Sequence, residues 1–596
     1  MNQAEYDVVV LGAGVAGALV AKTLTRSGLR VLLLEAGPAT AETIDGYEGH
    51  LDHFYGASGK GPESAWPPDP NAPQPDTADL RFNNGYFVQN GPQLYGSSYT
   101  RVQGGSTLHW LGVSLRMLPE DFELRSKYGV GRDWPLRYGD IEPYYRKAEY
   151  ELGVAADVAD QKYQGLEFPA DYEFPMARVP QSYSDLRLAE LIEGLTVTVG
   201  DHAVPLQVRS YPAARNSIPR GDYRPIGAID RRADGRLVER FLGGRCQGNT
   251  SCTPICPVQA KYNAQKTLAL CDQNKLTILS QAVGTRVNID PATGRVRSIT
   301  YKRYDGATHT EHEARGRVFV LAAHAVENAK IMLLSGLHGT SGLVGANLMD
   351  HPALYAWGLA PEPVWPFRGP LSTSGIEELR SGPFRAEHAA FRFDVGNDGW
   401  KATTGAPDAT VVDAVMRHQR FGRALREELE SMLSRQVRLS LAIEQLPDPA
   451  NRVTLDRRFL DPLGTPRPAV SYRLDDYTCA GMVAATKVYK AMFRHARVTD
   501  YTNPDESNWF PTVQHGGKTF HYHGMGHFAG THLMGDDPRS SVVDHHQRTW
   551  DHNNLFLVGS GSFPTMGTSN PTLTLAALAI RTAEHLAGAL RSGSYG

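Results

Sequence analysis

Asp7-Val8-Val9-Val10-Leu11-Gly12-Ala13-Gly14-Val15-Ala16-Gly17 decides the fold of this chain. The first five residues are a short apolar run, the length of a parallel strand buried on both faces. Ala18 to Arg26 reads as a helix and Arg30-Val31-Leu32-Leu33-Leu34 as a second buried strand, closed by Glu35 18 positions after Gly17. Strand, glycine turn, helix, strand and acid, in that order, make a dinucleotide-binding unit. Gly12 allows the tight turn, Gly14 lets the backbone approach a pyrophosphate, and Gly17 lets helix and strand pack closely. The helix N-terminus offers free N–H groups and a positive dipole end to phosphates. Glu35 can accept from both hydroxyls of an adenosine ribose and argues against a 2′-phosphate. The unit alone does not separate FAD from NAD.

At 596 residues the chain exceeds one simple core, and two or three structural regions are expected. With 41% hydrophobic and 21% charged residues and a formal charge of −3, nothing points to broad attraction to nucleic acid or membrane. Five cysteines are too few for a disulfide framework. Met1 to Asp7 carries no basic residue and runs straight into the first strand, so a signal or twin-arginine leader is not expected, nor is a transmembrane segment. The expected location is cytoplasmic.

Pro62, Pro67, Pro68, Pro70, Pro73 and Pro75 crowd a segment without regular structure. A mobile surface insertion is expected there, with a lid or partner-contacting loop as the alternative. Pro143 to Leu152 reads as a short helix. Leu276–Ser280 and Arg317–Leu321 read as buried strands and Ala325–Leu334 as a helix. Val437, Leu439, Leu441 and Ile443 alternate with Arg438, Ser440, Ala442 and Glu444, the pattern of a half-buried antiparallel strand. Val453–Leu455 and Val470–Tyr472 are shorter strands. Phe421, Leu425, Glu428 and Met432 fall at helical spacing, as do Met482, Ala485, Tyr489 and Met492, and both stripes read as core. Leu555–Val558 is a further buried strand, and a closing helix runs from Thr574 to Ala587.

The expected fold is therefore α/β. A Rossmann-like dinucleotide-binding domain, discontinuous in sequence, is joined to an α+β substrate domain with an antiparallel sheet. Nucleotide-binding segments are expected at 1–45, 99–135, 241–345 and 521–596, substrate-domain segments at 136–240 and 346–520, and the insertion at 46–98.

Together these motifs resemble the glucose–methanol–choline (GMC) family of FAD-dependent oxidoreductases over most of the chain. The strongest pieces are Gly12–Gly17 with Glu35, Val102–Trp110, Asn347–Pro352, Gly530–Asp544 and Asn554–Leu573. Gly131–Pro135, Ile141–Tyr145 and Cys252–Pro257 are similar to bacterial FAD-linked sugar and gluconate dehydrogenases and to pyranose oxidases. The resemblance implies FAD bound without a covalent link. Glu35 would lie at the ribose, backbone near Val283 beside the adenine, and Gly104, Gly105 and Ser106 along the isoalloxazine. Gly559 and Ser560 would sit near the phosphates, with Pro571 and Thr572 at the N-terminus of the closing helix facing the cofactor. His527 would take the substrate's hydroxyl proton, and Asn570 fills the family's partner position.

The residues support that reading independently. An unactivated alcohol is a poor acid, and histidine titrates in the range a general base needs. His521, His523 and His532 are the alternatives to His527. His109, in Ser106-Thr107-Leu108-His109-Trp110, resembles the histidine that bonds covalently to FAD in fungal pyranose oxidases, although the run carries an insertion. Cys246, Cys252 and Cys256 resemble a region that holds a three-iron cluster. Arg245 stands where a further cysteine is needed, so no metal is expected. The expected activity is oxidation of a CH–OH group of a sugar, polyol or glycoside, with oxygen or a quinone, dye or protein as electron acceptor and a homo-oligomer as a possible assembly. The rivals are an FAD-containing lyase of the same family, an NAD-dependent dehydrogenase and a non-catalytic flavoprotein.

Overall fold

Val8, Val9 and Val10 are wholly buried because both faces of their strand are covered, by helix Val15–Arg26 on the side of Val10 and by strand Ala282–Ile289 on the side of Leu11. The computed structural model describes residues 6–39, 86–240, 242–248, 252, 256, 258–305, 308–400, 407–502 and 511–595. Five parallel strands form the centre of the first sheet, in the spatial order Leu276–Leu279, Val31–Leu34, Tyr6–Leu11, Thr308–Leu321 and Leu555–Leu557. In chain order that is 3-2-1-4-5, the arrangement of a dinucleotide-binding sheet. The sheet is assembled from three distant parts of the chain. Thr308–Leu321 has two roles: its first half pairs antiparallel with Val296–Asp305, and its second half enters the parallel array. Val296–Asp305 pairs in turn with Ala282–Ile289. The order reverses between the first strand and Thr308–Leu321. Gly12 and Ala322–His324 therefore leave the carboxyl ends of adjacent strands at the point where such sheets bind ligands.

Helix Val15–Arg26 and the closing helix Pro571–Arg591 pack on each other, and helix Tyr138–Leu152 packs on the closing helix. The expected helix at Pro143 begins earlier, at Tyr138, and Pro143 lies inside it. Gly17 faces the turn directly: a Cβ there would overlap the Gly12 carbonyl oxygen.

The second sheet is antiparallel and has the order Thr499–Asp500, Pro352–Leu359, Gln436–Ile443, Phe391–Gly396, Ser374–Ile376, Arg209–Ser210. His523–Gly524 also pairs with Pro352–Ala353. Val437, Leu439, Leu441 and Ile443 join a core with Met482, Ala485, Tyr489 and Met492 of helix Asp476–His495, as their spacing predicts. Arg438 and Ser440 are buried as well, so the strand is not half-exposed. Their face looks into the central cavity rather than into solvent.

The stripe at 421–432 behaves differently from its reading as core. Helix Gly422–Leu433 forms, but it buries none of its residues and Phe421 is 65% exposed. Periodicity reports an amphipathic helix, not whether anything covers its apolar face. Arg452–Leu460 and Pro466–Ser471 form a hairpin joined by Val88–Gln89. Tyr86, Phe87 and Tyr95 are buried, so the end of the expected insertion is core; residues 46–85 lie outside the described residues. Among the described residues no helix is long and apolar enough to cross a membrane.

The contact at Gly17 leads to an expected outcome. Gly17→Val must push helix Val15–Arg26 off the turn, and overpacking of this kind costs about 1–3 kcal/mol. Denaturant unfolding should show that loss together with lowered FAD content in the purified protein. Parent-like stability and FAD content would show that the contact is relaxed.

Candidate active site

A cavity of about 550 Å³ runs between the two sheets, in the size range of small-molecule and cofactor sites. It is lined by Gly12, Gly14, Glu35, Gly104, Gly105 and Ser106, and by His109, His527, Gly559, Ser560, Asn570, Pro571 and Thr572. Gly17 does not line it and packs beneath the turn against Gly12. Val283 is not among the lining residues. Its side chain packs with Tyr304 and Leu463, whereas Ala282 and Gly284, on the other face of the strand, reach the cavity.

The nucleotide end fits a dinucleotide. Gly12 has φ +97, and a Cβ would stand 2.5 Å from the Ala322 carbonyl oxygen. Around Gly14 and Gly559 a Cβ would meet nothing within 4 Å, so the space beside both is open. Helix Val15–Arg26 starts at Gly14 without a side-chain cap or an acid in its first turn, leaving its N–H groups and dipole unopposed. Glu35 accepts from Ala13 N–H and Gly37 N–H, both at 2.8 Å, one on each carboxylate oxygen. Further lone pairs remain for ribose hydroxyls. Burial pushes its carboxyl up to about 7, against the pull of those N–H donors. His109 lines the cavity with Nε2 2.8 Å from Thr100 Oγ1, and burial lowers its pKa to about 4.

The other end is built around two histidines. Met349 and Ala529 form an antiparallel bridge, which lays residues 347–351 beside 527–530. Asp350 Oδ1 then accepts from His351 N–H at 2.6 Å and His527 N–H at 3.0 Å, while Tyr95 and Ser97 hold Oδ2. The imidazoles meet Nδ1 to Nδ1 at 2.8 Å.

Their partners assign the protons. His351 Nε2 lies 2.9 Å from the Gly567 carbonyl oxygen, which can only accept, so Nε2 carries the hydrogen. Burial lowers the His351 pKa to about 3, so the ring is neutral and its Nδ1 is an acceptor. His527 Nδ1 must therefore donate, which leaves His527 Nε2 as an unprotonated lone pair. Asn570 Nδ2 donates to that nitrogen at 3.2 Å, and Arg392 Nη2 donates to Asn570 Oδ1 at 3.0 Å, fixing the amide's orientation. Burial first, then His351 and Arg392, hold the His527 pKa well below the ordinary value. The arrangement is a neutral base at the cavity wall whose accepting nitrogen is held by Asn570, a bond that a substrate hydroxyl must replace to deliver its proton.

The alternative histidines lie elsewhere. His532 is wholly buried against Asn328 and Gly561. His521 and His523 belong to strands beside the cavity and do not line it. Cys246, Cys252 and Cys256 are free thiols, and among the described residues no group of three or more His, Cys, Asp or Glu is arranged to hold a metal ion. Sequence reasoning gave His351 no role. The signal was Asp350-His351-Pro352, two titratable groups in a stretch, Asn347–Pro352, that entered only as a piece of the family resemblance.

Models of the GMC oxidoreductase family match residues 234–353 and 447–579. The chain is 32% identical to the fructose dehydrogenase large subunit of Gluconobacter japonicus, over 98% of both chains. It is 27% identical to paromamine 6′-oxidase of Streptomyces fradiae, over 98% of this chain and 92% of that one. Among solved structures, pyridoxine 4-oxidase from Mesorbium loti superposes with a TM-score of 0.60 at 17% identity, over 98% and 99% of the two chains.

The lowered pKa of His527 sets a pH dependence. A base is lost as pH falls through its own pKa, so kcat/KM with a confirmed substrate should show no acid limb at or above about 6.5, the ordinary histidine value. A pH–rate profile with its acid limb there would mean that the base is an unperturbed histidine. Glycine turn, Glu35, paired histidines and full-length likeness agree: the chain belongs to the GMC oxidoreductase family and is an FAD-dependent oxidoreductase.

Proposed function

We propose that this chain oxidises a CH–OH group of a sugar, polyol or glycoside to a carbonyl, with His527 as the base. The observation that carries this is the lone pair at His527 Nε2 on the cavity wall, with its tautomer set from behind by His351 and the Gly567 carbonyl. The names of the relatives, a fructose dehydrogenase subunit and a paromamine oxidase, support the substrate class.

FAD would be held by the turn at Gly12–Gly14, by Glu35, by the loop at Gly104–Ser106 and by Gly559 and Ser560. Bound there, it supplies the acceptor for a hydride leaving the alcohol carbon. A neutral alcohol gives up hydride poorly, because the product would be a protonated carbonyl of high energy. His527 Nε2 removes that barrier by taking the hydroxyl proton as the carbonyl forms. Asn570 cannot titrate; it orients the hydroxyl and keeps the imidazole in place. His351 accepts from His527 Nδ1–H, so the ring cannot turn its other nitrogen to the substrate without losing a buried hydrogen bond. We take FAD as non-covalent because His109 Nε2 is engaged by Thr100 Oγ1. To balance the oxidation, a bound FAD would need a terminal electron acceptor, oxygen or a quinone, dye or protein.

His527→Ala should slow anaerobic flavin reduction by a confirmed substrate roughly 10²- to 10⁴-fold, with FAD content near that of the parent. Asn570→Ala should slow it less. Stopped-flow bleaching checks both, and parent-like reduction in His527→Ala would mean that the base is elsewhere.

A further inference from the structure

One wall of the cavity is the buried polar face of the antiparallel sheet. Tyr355, Ser440 and Asp394 stand in register on three adjacent strands. Arg438 occupies the next row of the central strand, opposite Gly396. A Cβ at Gly396 would overlap the Arg438 guanidinium, so the absent side chain lets Arg438 lie across the sheet. It reaches Asp398, donating to Oδ1 from Nε at 3.0 Å and from Nη2 at 2.6 Å. Asp394 Oδ1 accepts from Tyr211 OH at 2.7 Å and from Arg392 Nη1. Asp394, Asp398, Arg438, Ser440 and Tyr355 all line the cavity.

Each carboxylate is engaged through one oxygen only. Asp394 Oδ2 and Asp398 Oδ2 accept no hydrogen bond among the described residues, and each side chain keeps 16% of its surface accessible. Each aspartate also has its own guanidinium, Arg392 for Asp394 and Arg438 for Asp398, so the wall is polar yet balanced in charge. The two open oxygens are acceptors that suit O–H donors. A carboxylate ligand would set acceptors against those open acceptor oxygens with no hydrogen between them, and an ammonium ligand would find both anions already neutralised. The wall is tied to the reacting end because Arg392 holds both Asp394 and Asn570.

We infer that Asp394 and Asp398 are specificity-determining residues that select a neutral, polyhydroxylated substrate, gripping two of its hydroxyls other than the one oxidised. This inference rests on the proposed alcohol oxidation and deepens it.

The test is anaerobic stopped-flow reduction of the full-length, FAD-loaded protein with D-fructose and sorbitol as neutral probes, D-gluconate as the anion and D-glucosamine as the cation. At least one neutral probe should half-saturate at a concentration about 10-fold or more below either charged one. Asp398→Asn should raise that concentration roughly 10- to 100-fold, the range for a lost hydrogen bond to a charged group, with the limiting rate within about 3-fold of the parent. It leaves Arg438 uncompensated, so relative preference should move toward gluconate. Arg438→Gln should move it toward glucosamine. The double variant, neutral again, should restore the parent's order of preference among charges, which neither a folding defect nor a purely structural role would do. Preference for a charged probe in the parent, or selectivity unmoved by both single substitutions, would overturn the inference and leave alcohol oxidation standing. Flavin that no probe of any class bleaches would overturn the alcohol-oxidation reading and the inference with it.

Discussion

The hydrogen bond between the two imidazoles is the constraint on which the rest of the site depends. Its members arrive from different parts of the fold. His351 immediately precedes the strand Pro352–Leu359, and His527 follows the strand His523–Gly524. Gly567 and Asn570 lie in the turn before the closing helix, and Arg392 is on the strand Phe391–Gly396. The chain from the Gly567 carbonyl through His351, His527 and Asn570 to Arg392 therefore ties the antiparallel sheet and the start of the closing helix to one reactive nitrogen. Removing any member leaves a buried polar group unpaired, which costs about 1–3 kcal/mol and frees the ring to adopt the wrong tautomer.

Burial is what makes the pair useful. An imidazolium in this setting would lose its hydration and face Arg392, so both rings stay neutral. Asp350 supports them without neutralising them: it accepts from the two backbone N–H groups and so fixes main chain rather than ring charge. Burial raises its own carboxyl to about 6. The polar wall follows the same economy. Each carboxylate near the substrate side is matched by a guanidinium, so the cavity offers acceptors without a net charge that would attract ions. A charged wall would bind ionic ligands more strongly but would hold them by Coulomb attraction rather than by the positions of their hydroxyls.

Much of this was legible in the sequence wherever the signal is local. The opening strand, the glycine turn, Glu35, helix Ala325–Leu334 and the helix carrying Met482 to Met492 all follow from periodicity and turn chemistry. His527 and Asn570 came from resemblance to a family, and the fold brings them to 3.2 Å from each other. The His351–His527 pair was not legible, because 176 residues separate its members and they meet only through non-local contacts, the Met349–Ala529 bridge, the pairing of Pro352–Ala353 with His523–Gly524 and the shared Asp350. The alternation at 437–444 predicts a strand with two unlike faces. It cannot say that the polar face meets a cavity instead of water, and the structure shows that it does. The stripe at 421–432 fails for the converse reason: an apolar face was present, but what it faces is decided by the rest of the chain.

The central claim is a proton assignment, and neutron diffraction from crystals exchanged into heavy water at neutral pH measures it directly. The account predicts deuterium on His351 Nε2 and on His527 Nδ1, with none on His527 Nε2. Deuterium on His527 Nε2 would contradict it, because the nitrogen facing Asn570 would then be a donor and could not take a proton from an alcohol.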